Sequence, residues 1–257
     1  MIESRPSRTA ERVAMRRAAH QLLDRPRLHD DPLALAILGE AQAAATRADP
    51  GRFEDGPVAR VLRAFLAVRS RLAEDALAET IAAGVRQYVV LGAGLDTFAY
   101  RNPHPALRVF EVDHPATQAW KRRRLAEARI DVPTGVTFAA IDFATEALPG
   151  VLRAAGLRSE EPSFFSWLGV TPYLDPPTVL ATLAAIVPFA ANGGGVVFDY
   201  NVPVESLAPR PRAAFEAMAA RAAAAGEPFR GFFEPEALIA AMHALGFHGI
   251  RDLGPIS

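Results

Sequence analysis

The sequence predicts an α/β fold with a mostly parallel sheet, helices on both faces and a helical N-terminal extension. Three observations carry that prediction. Every periodic segment up to about Gly84 has helical spacing. From Gln87 onward, short β-rich runs alternate with Ala/Leu/Arg-rich helical stretches, the pattern of parallel βαβ units. The first of those runs breaks into a Gly-Ala-Gly turn, Gly92 to Gly94.

In "RTAERVAMRRAAHQLL", Val13, Ala14, Ala18 and Leu22 form an apolar face. "DDPLALAIL" offers Asp31 as an N-cap with Pro32 at the first helical position. The long segment from Pro57 stops at Gly84, read as the glycine just past a helix end. Thr46 to Pro57 reads as a polar loop. Residues 1–84 are thus expected to form a helical layer packing on a core of residues 85–257. Six β-rich runs are expected: "YVVLG", "RVFEVD", "VTFAAID", "SFFSWLGV", "GVVFDY" and "FHGIRDLG". Residues 201–233 break the rhythm and are expected to cap a pocket after the fifth strand.

Composition narrows the function classes. The 257 residues are half apolar with a formal net charge of −1, so nothing draws the chain generally toward nucleic acid or anionic membrane. No run approaches the ~18 apolar residues of a membrane span. The Arg-rich N-terminus lacks the apolar stretch of a secretory signal. With no cysteine, disulfides, thiolate metal sites and cysteine nucleophiles are excluded, and a reducing cytoplasm is compatible. No histidine stands in metal-ligand spacing and no triad of acids points to Mg²⁺, so no metal is expected. Lys121 is the only lysine. It opens "KRRR", read as a solvated helix face rather than a nucleic-acid patch.

A strand ending in G-x-G brings backbone close to a ligand. A dinucleotide fingerprint needs a third glycine where Thr97 stands, and Asp96 would repel a pyrophosphate. No G-K-[ST] follows, which excludes a P-loop. Glu111 and Asp113 end the second strand, 19 residues beyond Gly92 and Gly94 respectively, and Asp142 ends the third. A carboxylate at the second strand end accepts from ribose hydroxyls, and one at the third from an adenine amino group. Each acid has a plainer reading: Asp96 and Asp113 as helix caps, Asp142 as a turn residue. Three at successive strand ends favour a site for adenosine joined to something other than phosphate. S-adenosylmethionine fits, being positive at its amino group and sulfonium.

"VVLGAGLDTFAYR", "VFEVDHPATQAWKRRRL", "FFSWLGVTPYLD" and "VVFDYNVP", with N-terminal "SRTAERVAMRRAAHQLLDRPRLHDDPLA" and "RAFLAVRSRLAEDAL", resemble the leucine carboxyl methyltransferase family, especially its bacterial branch. The resemblance implies a class I methyltransferase (Rossmann-like) fold and methyl transfer to oxygen. It also implies that Arg69 pairs with the carboxylate of S-adenosylmethionine, and that Gly92 and Gly94 lie under its methionine part; Ala93 and Asp96, in the same turn, are expected beside the ligand as well. Asp113 with Glu111 would hold the ribose, and Asp142 with Phe143 would border the adenine. Leu168 stands where many members carry a glutamate. The final antiparallel strand of the fold is missing, so either the natural protein is longer or its sheet closes differently.

The acceptor is expected to be a small molecule bearing a carboxylate, which needs no base, or a hydroxyl, which does. Tyr173, Asp199 and Tyr200 stand near the ends of the fourth and fifth strands as candidates to touch it. Phe215, Phe229, Phe232 and Phe233 line an acceptor pocket or pack the cap. A cofactor-binding paralogue without catalysis and, less favoured, an NAD-dependent oxidoreductase are the alternatives.

Overall fold

The computed structural model describes residues 8–51, 57–142, 145–191 and 193–254. In chain order these form α1 (Arg8–Leu23), α2 (Glu40–Ala48), α3 (Pro57–Ala82), β1 (Gln87–Leu91), α4 (Phe98–Arg101), β2 (Arg108–Asp113) and α5 (Pro115–Glu127). There follow β3 (Val136–Ala140), α6 (Leu148–Ala154), β4 (Ser163–Trp167), α7 (Pro176–Ala190), β5 (Gly195–Phe198), α8 (Pro209–Ala224) and α9 (Pro235–Leu245).

All strand pairings are parallel, in the order β3-β2-β1-β4-β5. Such a sheet is covered on both faces, which is why β1 and β4 are buried along their whole length and mostly apolar, with Gln87, Ser163 and Ser166 as the polar exceptions. Side chains alternate between two layers. Val89, Leu91, Phe110, Val112, Phe165 and Trp167 pack with residues of α6, α7 and α9. Tyr88, Val90, Val109 and Phe164 pack against Leu77 of α3 and Phe98 of α4. Fully buried side chains such as Phe165 and Leu183 each contribute about 1.5–3 kcal/mol of transfer free energy. A third cluster joins Ala14 and Ala18 of α1 to Leu38, Leu95 and Leu125, so the N-terminal helices share a core with the loop after β1.

The strand order reverses between β1 and β4, the switch point beyond whose carboxyl ends sheets of this kind hold ligands in a crevice. The loops after these two strands therefore frame any ligand.

Local expectations fare unevenly. α3 ends as predicted before Gly84, whose φ is +111°. The helix expected from Pro32 does not form: the segment is a run of turns ending in a 3-10 turn, Ala36–Leu38. Asp31 does accept from the Leu33 N–H at 3.1 Å, but its other oxygen is taken by an arginine. The loop expected from Thr46 begins later, because Thr46, Arg47 and Ala48 complete α2. Phe247 to Gly254 form no strand. Phe247 and Ile250 pack on the core without a ladder partner, so β5 is the sheet's edge among the described residues. No helix among those residues is long and apolar enough to cross a membrane.

Candidate cofactor and acceptor site

The turn after β1 needs its glycines. Gly92 has φ +69° and Gly94 φ +44°, left-handed values that side chains disfavour. A Cβ on Gly92 would collide with Val170 Cγ2, in the loop after β4, and one on Gly94 would lie 3.1 Å from Ala10 Cβ of α1. The N–H groups of Gly92 and Ala93 donate to the Val112 carbonyl at 2.8 and 3.1 Å, tying the turn to β2. The next N–H, of Gly94, donates to Asp113 Oδ2 at 2.6 Å, and His114 N–H to Oδ1 at 2.7 Å.

Asp113 therefore stands partly buried at the end of β2, against the glycine turn. Burial pushes its carboxyl above the usual range, against the pull of the two N–H donors. It does not cap α5: His114 does, its ring accepting from Ala116 N–H at 3.2 Å. Ile141 N–H donates to the Asp113 carbonyl at 3.0 Å, which brings Asp142 alongside. The Asp142 main chain closes a turn with Thr145 and Glu146. Phe143 lies outside the described residues.

Two of the acids named from sequence are turned to other duties. Asp96 Oδ1 accepts from the Phe98 N–H at 2.8 Å in the turn leading into α4, one position before the N-cap residue, Thr97. Glu111 is 1% exposed. Its Oε1 meets Lys121 Nζ at 2.7 Å and its Oε2 accepts from Tyr100 Oη at 2.8 Å, beneath the turn rather than in the crevice. Lys121 is buried too, which corrects the reading of its basic run as a solvated face; of the four residues only Arg122 and Arg123 are exposed.

The loop after β4 meets a second group, supplied by α3 and the end of β5. Arg69 of α3 pairs with Asp199 Oδ2, and Gly169 N–H donates to Asp199 Oδ1 at 2.5 Å. Gly169 has φ +71°, and its missing side chain leaves room for the guanidinium, 2.9 Å from where a Cβ would sit. Thr171 Oγ1 donates to the Asp199 carbonyl. Burial pushes the Tyr173 phenol up in spite of its hydrogen bond with Thr9. Thr9 Oγ1 in turn donates to Glu227, so the first turn of α1 reaches the segment after α8.

That segment closes on the same place. Arg230 and Gly231 N–H donate to the Pro172 carbonyl at 2.8 and 3.1 Å. The Phe229 ring lies 5.3 Å from Tyr173 and 5.6 Å from Phe215, which is 6.1 Å from Phe232. Phe233 packs instead into the main core. Tyr200 faces away from Asp199, as successive residues at a strand end do: its hydroxyl donates to Asp252 Oδ2 at 3.0 Å and its ring meets Phe233. The structure does not bring Tyr200 to the crevice.

Sequence reasoning missed what Thr97 and Arg101 do. Arg17 of α1 pairs with Asp31 and donates to Thr97 Oγ1 at 2.8 Å and to the Leu95 carbonyl at 3.1 Å. Thr97 Oγ1 donates to Asp31 at 2.8 Å. Arg101 forks onto Glu74 of α3, which also meets His29 Nε2 at 2.9 Å. Thr97 and Arg101 are four residues apart on one helical face. That spacing was the available signal for partners on a neighbouring layer.

The residues present fit an adenosyl cofactor of the kind the sequence implied. A glycine turn allows close approach, an acceptor carboxylate stands beside it, a guanidinium lies against the loop after β4, and the sequence's single lysine is held by Glu111 rather than offered to a phosphate.

The architecture is that of a class I methyltransferase. It is shared with a DUF574 family protein from Streptomyces avermitilis (TM-score 0.54, 15% identity, covering 94% of this chain and 84% of that one). The apo form of the S-adenosylmethionine-dependent methyltransferase SibL shares it also (TM-score 0.50, 20% identity, 82% and 57%). At those identities the likeness is one of fold.

Residues 10–187 match the family described as leucine carboxyl methyltransferase, and the chain belongs to that family. By family it is an S-adenosyl-L-methionine-dependent methyltransferase. A Bacillus subtilis (strain 168) protein named "Putative S-adenosyl-L-methionine-dependent methyltransferase YktD" is 29% identical, over 99% of this chain and 90% of that one. A relative from Parafrankia sp. (strain EAN1pec) is 36% identical over 75% of this chain, which spans 62% of that relative's length.

Proposed function

We propose that this chain binds S-adenosyl-L-methionine in the crevice between the turns after β1 and β4 and methylates an oxygen of a small-molecule acceptor, either a carboxylate or a hydroxyl. The observation that carries the reading is Asp113, held at the end of β2 by the Gly94 N–H at 2.6 Å with the Arg69–Asp199 pair across the crevice. A cytoplasmic setting belongs to the same proposal and rests on composition.

The bound cofactor supplies an activated methyl group on a sulfonium with a good leaving group. In this reading Asp113 accepts from the ribose hydroxyls, and the Gly92–Gly94 turn lets the chain pass close beside the ligand. Asp142 and Phe143 border the adenine. Arg69 changes partner, from Asp199 to the carboxylate of the ligand. Asp199, still held at Oδ1 by the Gly169 N–H, is then released from its ion pair at Oδ2 and able to take the proton of a hydroxyl acceptor. A carboxylate acceptor is already ionised at neutral pH and needs only alignment and exclusion of water. Tyr173, Phe215 and Phe229 give the acceptor side apolar walls, and the Thr9–Glu227 bond closes it from α1.

The test is a thermal shift with S-adenosylmethionine, S-adenosylhomocysteine and NAD⁺ in parallel, on the wild type and Asp113→Ala. Ligand at ~100 times its Kd adds ~2.7 kcal/mol. The two adenosyl sulfur compounds should each raise Tm and lose that effect in the variant. A shift with NAD⁺ alone, or with none, would end the methyltransferase reading of this crevice.

A further inference from the structure

The lysine beneath the turn has no role in the reaction outlined above. Lys121 and Glu111 are both about 1% exposed and 2.7 Å apart. Taking such a pair out of water costs about as much as its attraction returns, and well-packed apolar residues often serve stability as well or better. Stability is therefore a weak reason for the pair. What it supplies is direction.

Lys121 Nζ also lies 3.4 Å from the Ala93 carbonyl, a long ion–dipole contact that the Asp96 N–H, at 2.8 Å, shares. The remaining polar atoms are matched. Tyr100 Oη donates to the second Glu111 oxygen, and Gln118 Nε2 to the Glu111 carbonyl at 3.2 Å.

A trans peptide carries its C=O and N–H on opposite sides. With the Ala93 carbonyl aimed down at the ammonium, the N–H of the same peptide unit, that of Gly94, must aim the other way. It does, at Asp113 Oδ2, 2.6 Å away. Glycine at φ +44° has no side chain to resist rotation of that unit, so its orientation has to be set by what its two ends meet.

We infer that Lys121, held by Glu111, is a positioning residue that sets the Ala93–Gly94 peptide and thereby aims Asp113 into the crevice. The inference rests on the cofactor reading for its consequence but not for its geometry. Deleting the ammonium leaves the Ala93 carbonyl to the Asp96 N–H alone, so the peptide turns more readily and Asp113 loses its shortest donor more often.

Lys121→Met alone would strand a buried carboxylate and is expected to unfold. The informative protein is the neutral double variant Glu111→Gln/Lys121→Met, compared with wild type in three measurements: urea unfolding, hydrogen exchange at the Gly94 amide without ligand, and S-adenosylhomocysteine affinity by calorimetry. The expected result is an unfolding midpoint near wild type, with Gly94 exchange faster and affinity weaker, each on the order of tenfold, while exchange across Val89 to Leu91 is unchanged. Wild-type exchange at Gly94 in the folded double variant would overturn the inference. So would a uniform rise across β1 and Gly94, since the pair would then hold the core rather than the turn. Should the wild type fail to bind S-adenosylhomocysteine, the cofactor reading falls, and Gly94 exchange still decides the role of Lys121.

Discussion

The glycine turn has two sides, and their carboxylates are displaced in opposite directions. Toward the N-terminal layer stand Asp31 and Glu74. Burial works against their ionisation, but Arg17, Arg101, Thr97 and His29 outweigh it and hold both below the usual range. Beneath and beyond the turn stand Glu111 and Asp113, where burial wins and both are pushed up. The first side is a closed network in which each acid meets a guanidinium. On the crevice side Asp113 accepts from the Gly94 and His114 N–H groups and, among the described residues, pairs with no guanidinium, while Arg69 is held by Asp199. A clamp is built so that nothing exchanges; a binding edge leaves groups whose partners a ligand can replace.

The comparison is broken most severely at Arg17. Arg17→Met leaves Asp31 buried with Thr97, the Leu33 N–H and, at 3.5 Å, Arg101 for company. Removing one partner of a buried pair costs about 3–5 kcal/mol, readable as a lower urea midpoint. If the two sides are independent, Asp113→Asn should leave that midpoint nearly untouched. Equal losses would mean that the network is no clamp.

Next comes the turn itself. Gly92→Ala places a Cβ against Val170 at a φ of +69°, a strain of about 1–3 kcal/mol. Because Val170 belongs to the loop carrying Gly169 and Tyr173, affinity for S-adenosylhomocysteine should fall along with stability. A stable variant with weakened binding would show that the two loops touch for the ligand's sake.

Acid separates the sides by sign. Glu74 falls from its ordinary 4.5 to about 2, burial being overcome by His29 and Arg101. Asp24, bonded first to Arg63 and then to His20, falls from 3.8 to about 2. A depressed carboxyl stabilises above its unfolded pKa, and that contribution disappears as pH drops through the folded value. Stability should therefore decline between about pH 4.5 and pH 2, and Glu74→Gln should flatten part of the decline. Protonating Asp113 or Glu111 works the other way, so a decline steepened by Glu74→Gln would contradict the assignment.

How much of this could be read from sequence follows the same division. The parallel sheet, the glycine turn and Asp113 at the end of β2 were legible because strand periodicity and turn chemistry are local. The clamp was not, since Thr97 and Arg101 declare only that they share a helical face; their partners lie 66 positions back at Asp31 and 27 back at Glu74. Lys121 was misread because one member of a basic run lies on the stripe of Thr117, Gln118 and Leu125 that faces inward, and a run of charges hides it. The strand expected over Phe247 to Gly254 had suitable residues, but a strand is made by its neighbour, and none pairs there.

The smallest effect is expected at Tyr200, adjacent to Asp199 in sequence yet on the far side of the strand end. Its hydroxyl reaches Asp252 in an exposed setting, so Tyr200→Phe should cost at most about 0.5–1.5 kcal/mol. S-adenosylhomocysteine affinity should stay at the wild-type value, whereas Asp199→Asn should alter it by leaving Arg69 only half engaged before the ligand arrives. If Tyr200→Phe weakened binding as much as Asp199→Asn does, the C-terminal segment under Asp252 would have to be part of the crevice. The division between a sealed side and an exchangeable one would then need to be redrawn through β5.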